Sequence, residues 1–335
     1  MTSPVSEMTL RLALLKPFSK YDRRYLIDQL AEHYEFIEPK AFDDVTIAGV
    51  IADADAALGT DIPLTVLEQA RQLKLLQVPA TGVNGLDLAA LAKQGVAVCN
   101  SHSSAPYVAE HAVAMLLNLI KRVSLHDRLM RKGEWFRPTG KPNDVDFMSG
   151  SLMGATIGLI GFGHVGKNVT QLLSGFQPRF LATVCQTEKK RKPISKTITA
   201  QIVPLDELLC EANAVIISVP LTHSTRGLID QKAIAKLQNN AFLINVARAG
   251  VIDMQALNIA LQQRQLGGAA IDVWDDGATD PFIKKFATLP NTILSPHRAG
   301  TLADFGRHLK DAVQNLTAFA TGGDLQNRVN HETGY

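Results

Sequence analysis

Apolar positions recur with two different periods along this chain. Residues 10–15, 45–51, 73–78 and 96–100 are short apolar runs bounded by turn formers and predict strands, while 21–33 and 63–72 carry apolar residues at helical spacing and predict helices between them. From 105 to about 132 the spacing is helical throughout, with Val108, Ala112, Met115, Leu116, Leu119 and Ile120 on one stripe, too long a stretch for a simple crossover. The polar segment 136–151, with Pro138, Gly140, Pro142 and Gly150, reads as a connection. Strand patterns return at 180–184, 198–203, 214–219, 241–246, 269–273 and 292–295, and 301–321 is helical again. The alternation predicts an α/β protein with doubly wound parallel sheets, one half flavodoxin-like and the other Rossmann-like.

Between the two halves, Ile157 to Ile160 form an apolar strand that breaks into Gly161-Phe162-Gly163-His164-Val165-Gly166, and a helix is expected over 167–173. A dinucleotide site needs this order of events. Gly161 permits the tight turn, Gly163 lets backbone approach a pyrophosphate, Gly166 lets helix close on strand, and free N–H groups at the helix start face the anion. His164 and Val165 lie inside that turn.

The length of 335 residues exceeds what one core usually serves, so two domains are expected. A net charge of +2, with bases scattered among acids, argues against a nucleic-acid or anionic-membrane partner. Cys99, Cys185 and Cys210 lack metal-ligand spacing and are odd in number, so no metal site is expected and each reads as a small buried hydrophobe in a reducing compartment. Residues 1–16 lack a signal-peptide pattern and no apolar run reaches membrane-spanning length, which predicts a cytoplasmic protein.

Cofactor preference has its own signal. An NAD site usually places an acid about 20 residues beyond the glycines, at the end of the second strand, to hold the ribose diol. Here Val184 and Cys185 stand in that place, and Thr187-Glu188-Lys189-Lys190-Arg191-Lys192 follows. Thr187 and Lys189 are suited to a 2′-phosphate, which favours NADP over NAD.

Four further segments carry a family resemblance: Leu76-Gln77-Val78-Pro79-Ala80-Thr81-Gly82-Val83-Asn84, Tyr107-Val108-Ala109-Glu110-His111, Leu243-Ile244-Asn245-Val246-Ala247-Arg248-Ala249-Gly250-Val251-Ile252-Asp253 and Ser295-Pro296-His297. Together with the glycine turn they resemble the signatures of D-isomer-specific 2-hydroxyacid dehydrogenases, a group that includes glyoxylate/hydroxypyruvate reductases and phosphoglycerate dehydrogenases. The resemblance implies a nucleotide domain, 105–301, inserted into a substrate domain made of 1–104 and 302–335. It also implies a homodimer built on the 105–132 helix, and a small 2-oxoacid or 2-hydroxyacid as partner.

Reducing a 2-oxoacid requires a cation for the carboxylate and carbonyl and a proton donor at the oxygen. By resemblance these are Arg248 and His297. The turn Thr81-Gly82-Val83 is expected to hold the substrate carboxylate on backbone N–H groups. Cofactor contacts are expected at Gly161, Gly163, His164, Val165, Gly166, Thr187, Lys189, Val219, Pro220, Thr225, Val246, Ala247, Asp272 and Gly300, with Asp272 receiving the carboxamide. Ser103 and Ser104 suit either the site or helix capping.

The chain departs from the family at one point. The glutamate-proline pair that supports the histidine is absent, and Asp275-Asp276-Gly277-Ala278-Thr279-Asp280-Pro281 stands there. Asp276 lies nearest the expected spacing and is the expected partner of His297, whereas Asp280 keeps the acid-before-proline form. Two functions follow: a reductase transferring hydride from NAD(P)H to a small 2-oxoacid, or a non-catalytic dinucleotide sensor or corepressor on the same fold. Retention of Arg248 and His297 favours the enzyme.

Overall fold

The computed structural model describes residues 9–135, 149–184, 200–301 and 306–334. The chain forms two compact units: Met1–Ser104 with Leu302–Tyr335, and Ala105–Thr301.

The first unit contains β1 (Leu10–Leu14), α1 (Lys20–Leu30), β2 (Tyr34–Ile37), α2 (Asp44–Ile51), β3 (Ala56–Leu58), α3 (Leu64–Leu67), β4 (Leu75–Gln77), α4 (Leu88–Lys93) and β5 (Ala97–Cys99). Its sheet is parallel, in the order β2-β1-β3-β4-β5, with Leu12 opposite Ala56 and Leu76 opposite Val98. Both faces are buried, as a parallel sheet requires. Ala13, Ala57, Leu76 and Val98 pack with Ile47, Ile51, Leu67 and Leu91 on one side. Leu12, Leu14, Leu58 and Leu75 pack with Leu26 and Leu30 on the other, where Leu309, Ala312 and Leu316 return from the chain end.

The second unit contains α5 (Ala105–Lys121), α6 (Val123–Arg131), β6 (Thr156–Ile160), α7 (His164–Leu173), β7 (Arg179–Thr183), β8 (Gln201–Ile202), α8 (Leu205–Glu211), β9 (Ala214–Ile217), α9 (Gln231–Lys236), β10 (Phe242–Asn245), α10 (Met254–Gln262), β11 (Gly268–Ile271), α11 (Pro281–Ala287) and β12 (Thr292–Leu294). Its parallel sheet runs β12-β11-β10-β9-β6-β7-β8. The strand order reverses between β6 and β9, the switch point where doubly wound sheets bind ligands. The stripe Ala112, Met115, Leu116, Leu119 of α5 covers Ile157, Leu159, Ile216 and Ile244. Leu208, Ile234, Leu257 and Phe286 cover the opposite face. The final helix, α12 (Lys310–Thr321), belongs to the first unit.

Several elements differ from the sequence reading. Residues 45–51 form α2 and not a strand: Asp43 caps the helix by accepting from the Thr46 N–H at 2.9 Å, and Ile47 and Ile51 are the positions it buries, while Val45 is exposed. The β-branched run imitated a strand. β2 and β3 escaped notice because they are short and, in β3, mostly alanine. The 105–132 helix is two helices, broken at Arg122 with φ +53°, where Asn118 accepts from the Ser124 N–H and donates to its hydroxyl. α7 opens at His164 and not Lys167, which draws Gly166 into its first turn.

Cys99 is buried, and that burial pushes its thiol up to about 11. Cys210 is exposed, contrary to its reading as a buried hydrophobe, because it lies on the outer side of α8. Cys185 lies outside the described residues. Among those described, no helix is long and apolar enough to cross a membrane.

Candidate active site

The glycine turn after β6 is built by close approach. Gly161 has φ +95°, and a Cβ there would stand 3.0 Å from Val219 Cγ1 and 3.1 Å from the Ser218 backbone. A Cβ on Gly166 would stand 2.5 Å from the Gly161 carbonyl oxygen. Only glycine lets α7 pass this near the strand end. Gly163 occupies the N-cap of α7 and supplies no side chain to its first turn, so no capping side chain competes with a ligand for the Val165 and Gly166 N–H groups. His164 is exposed and Val165 half-buried beside it. A pyrophosphate fits this cradle.

At the end of β7, Val184 is half-buried and offers no carboxylate to a ribose. Thr187, Lys189 and the rest of the basic run lie outside the described residues. At the end of β9, Val219 and Pro220 lead into a turn that the Thr225 hydroxyl closes, donating to the Pro220 carbonyl at 2.6 Å and accepting from the Thr222 N–H at 2.8 Å.

Arg248 follows β10. Asn245, fully buried, turns the chain here: its Oδ1 accepts from the Ala247 N–H and its Nδ2 donates to the Arg248 carbonyl, each at 3.0 Å. Val246 and Ala247 are thereby fixed on the sheet's C-terminal edge. The Arg248 guanidinium donates to the Ala247 carbonyl at 2.7 Å and forms no ion pair with any carboxylate among the described residues. Burial pulls its pKa down from the ordinary arginine value, which starts so high that the group stays cationic at neutral pH. A half-buried cation without a carboxylate partner is costly unless an anion arrives.

His297 follows β12, with φ +55° in the left-handed region and an exposed side chain. Asp272, at the end of β11 and 1% exposed, grips the turn around it. Its Oδ1 accepts from the Arg298 N–H at 2.8 Å and from the Ser295 hydroxyl; its Oδ2 accepts from the Ala299 N–H at 3.0 Å. His111 Nε2, on α5, lies 3.0 Å from Ser295 Oγ and 3.6 Å from Asp272 Oδ1. The Trp274 indole donates to the Ser295 carbonyl at 2.9 Å. Both Asp272 oxygens thus accept from the protein's own donors, although a carboxylate has about four acceptor positions and one stays open to a carboxamide. Gly300, exposed, ends the turn.

The structure does not pair Asp276 with His297: they form neither hydrogen bond nor ion pair, and Asp276 is exposed, its carbonyl accepting from the Thr279 hydroxyl. Asp276 stands at the start of a short 3₁₀ turn, Gly277–Thr279, with its side chain exposed. Asp280 is buried as the cap of α11, accepting from the Phe282 N–H at 2.9 Å and the Asp275 N–H at 3.1 Å. His297 instead lines a largely apolar cavity of about 400 Å³ with Trp274, Gly277, Ala278, Ile283, Leu294 and Pro296.

In the first unit, the Thr81-Gly82-Val83 turn is held from below. Thr81 Oγ1 donates to the Ser101 carbonyl at 3.0 Å, and Asn100 Nδ2 donates to the Thr81 carbonyl at 2.8 Å. Among the described residues the Gly82 and Val83 N–H groups have no hydrogen-bond partner. Ser101 bonds through its hydroxyl to buried Gln77, which accepts from Asn315 of α12 at 2.8 Å. The Ser103 hydroxyl accepts from the Asp311 N–H at the start of α12, a capping use.

Three supporting residues carried no assigned role in the sequence. Asn245, Ser295 and His111 all lie inside the family-like segments, beside Arg248, beside His297 and at the end of the Tyr107–His111 run, and only three-dimensional contact separates them from packing residues.

Residues 113–299 match the family model described as D-isomer specific 2-hydroxyacid dehydrogenase, NAD binding domain. A glyoxylate reductase of Thermococcus onnurineus is 30% identical over 320 residues, covering 91% of this chain and 92% of that protein. Among solved structures, an acyclic imino acid reductase in complex with NADPH and D-Arg superposes with a TM-score of 0.82 at 23% identity, covering 96% of this chain and 100% of the other. An NADPH-dependent glyoxylate/hydroxypyruvate reductase of Sinorhizobium meliloti, solved with citrate, gives 0.79 at 23% identity, covering 96% and 98%.

Proposed function

The chain belongs to the D-isomer specific 2-hydroxyacid dehydrogenase family, an oxidoreductase working between NAD(P)H and a 2-oxoacid, and we propose that it reduces small 2-oxoacids such as glyoxylate, hydroxypyruvate or pyruvate to D-2-hydroxyacids. The observation that carries this reading is the half-buried Arg248 guanidinium, presented by Asn245 on the sheet's C-terminal edge and paired with no carboxylate among the described residues.

In this mechanism Arg248 holds the substrate carboxylate and polarises the adjacent carbonyl. The His297 imidazole gives its proton to the carbonyl oxygen as that oxygen gains charge. In the first unit, Thr81-Gly82-Val83 is the proposed substrate-binding turn, through the Gly82 and Val83 N–H groups. NAD(P)H, when bound, supplies the hydride. Gly161, Gly163 and Gly166 form its pyrophosphate cradle, His164 and Val165 line it, and Val219, Pro220, Thr225, Val246, Ala247, Asp272 and Gly300 are the further proposed contacts. NADPH is the favoured form, because Val184 stands where an acid would hold the ribose and a basic run follows.

The proposed assembly is a homodimer through α6, which buries no residue in its own chain and leaves Val123 and Met130 exposed. Net charge +2 supports no nucleic-acid partner, and free thiols at Cys99 and Cys210 suit the cytoplasm.

Oxidation of NADPH and NADH followed by absorbance against a panel of 2-oxoacids tests the activity. Arg248→Lys should cost at least about 100-fold in kcat/KM on every accepted oxoacid, since an ammonium lacks the planar fork, with NAD(P)H affinity nearly unchanged. Near-normal turnover in that variant, or none in the native protein, removes the reading; the second result favours a dinucleotide sensor.

A further inference from the structure

His297 stands at φ +55°, a conformation that a side-chain-bearing residue holds only when its surroundings over-determine it. The surroundings are a relay inside the second unit. Asp272 takes the N–H groups of the two residues that follow His297, at 2.8 and 3.0 Å. Ser295, two residues before it, gives its hydroxyl proton to the same carboxylate. A serine hydroxyl has one proton, so with that proton committed its oxygen can only accept from His111 Nε2, 3.0 Å away. This direction fixes a proton on Nε2 of His111. The chain of donors therefore runs from α5 through Ser295 to Asp272, and the Asp272 carboxylate closes on the backbone just past the proton donor.

We propose that His111 is a positioning residue for the reduction, anchoring the 295–299 turn to α5 so that the His297 imidazole keeps its aim on the carbonyl oxygen. This role rests on the reductase reading above. His111 does not touch the reacting atoms in this assignment. Its loss frees Ser295 to rotate, loosens the grip of Asp272 on the Arg298 and Ala299 N–H groups, and lets the strained His297 backbone relax.

The test uses the full chain with His111→Phe, which removes the donor, and His111→Gln, whose amide nitrogen keeps one at about the same reach. His111→Phe should lower kcat for glyoxylate reduction about 10- to 100-fold, the scale expected when a reacting group is misaimed by about 1 Å. NADPH affinity, read from the fluorescence of the bound nicotinamide, should change less than about twofold, and His111→Gln should recover most of kcat. Ser295→Ala should reproduce the loss, and the double variant His111→Phe/Ser295→Ala should lose no more than the worse single, as members of one relay do.

A readout without cofactor is hydrogen exchange of the Arg298 and Ala299 amides, which should quicken in His111→Phe and stay near native in His111→Gln. Unchanged kcat and exchange in His111→Phe overturns the proposal. So does a loss confined to NADPH affinity, which would make His111 a cofactor contact, or failure of His111→Gln to recover, which would make its role packing. If the native protein reduced no 2-oxoacid, the reductase reading would fall while the exchange comparison still decided whether His111 anchors the turn.

Discussion

Asn245 brackets Arg248 from inside the sheet: its Nδ2 donates to the Arg248 carbonyl at 3.0 Å while its Oδ1 takes the N–H of Ala247, the residue just before the arginine. The guanidinium is presented by this turn. Asn245→Ala removes the partner of the buried Ala247 N–H and of the part-buried Arg248 carbonyl, a cost of about 1 to 3 kcal/mol for a group left buried and unpaired. The expected outcome is a fall of at least about tenfold in kcat/KM for 2-oxoacids, since about 1.4 kcal/mol is tenfold, with NADPH affinity less affected. Steady-state kinetics and a cofactor titration check it; an unaltered kcat/KM would separate the turn from the chemistry.

Gly166→Ala places a methyl 2.5 Å from the Gly161 carbonyl oxygen, a backbone atom that cannot swing aside as a flexible side chain would. α7 must then move away from β6, which opens the pyrophosphate cradle. NAD(P)H affinity should drop by at least about tenfold and the melting temperature should fall, as overpacking costs about 1 to 3 kcal/mol. Gly175→Ala is the control, because a Cβ there meets nothing within 4 Å. Calorimetry and fluorescence titration of both variants decide the matter.

The two loop aspartates should behave oppositely. Asp280→Ala removes the cap of α11 and strands the Asp275 and Phe282 N–H groups. A lost cap costs about 1 kcal/mol, a fall of about 2 to 4 °C in melting temperature for a unit of this size. Asp276→Asn should leave stability and the pH profile of reduction where they are, because Asp276 bonds neither to His297 nor to any ion-pair partner among the described residues. A shift of that profile toward lower pH in Asp276→Asn would restore Asp276 as the histidine's partner.

Neutralising Lys189, Lys190 and Arg191 together to glutamine should raise KM for NADPH at least about tenfold and change KM for NADH by less than about threefold, because only NADPH carries a 2′-phosphate for them to meet. Equal losses with both cofactors, or a native preference for NADH, would count against a 2′-phosphate site.

What the sequence made legible was whatever depends on contacts close in the chain. The turn Gly161 to Gly166 was readable because strand, glycines and helix are adjacent, and Arg248 and His297 because each lies inside a compact motif. Residues 45–51 misled because Val45, Ile47, Val50 and Ile51 are β-branched, and local propensity carried no record of the Asp43 cap or of burial at Ile47 and Ile51. The break at Arg122 was equally hidden, since helical spacing resumes after it. Asp276 was chosen by counting along the loop from β11, and such a count holds no record of where the side chain points: Asp276 is exposed and bonds to neither His297 nor an ion-pair partner among the described residues. The relay from His111 to Asp272 joins residues 161 positions apart in sequence, 272 − 111, and no local pattern can hold it.

The division of the chain also sets an order of manufacture. Residues 105–301 form one uninterrupted unit, whereas the other unit is divided between the two ends. As the chain leaves the ribosome, β1 to β5 are made first, yet the face formed by Leu12, Leu14, Leu58 and Leu75 must wait for Leu309, Ala312 and Leu316. Asn327 and Val329, which bond to Asn100 and Val98 beside β5, come later still. Throughout synthesis of the inserted unit the part of this apolar face that α12 covers stays open to water, a surface on which nascent chains aggregate or recruit chaperones. A nonsense codon between 302 and 308 would therefore spare every residue of the dinucleotide unit and still release a sticky, unfinished product.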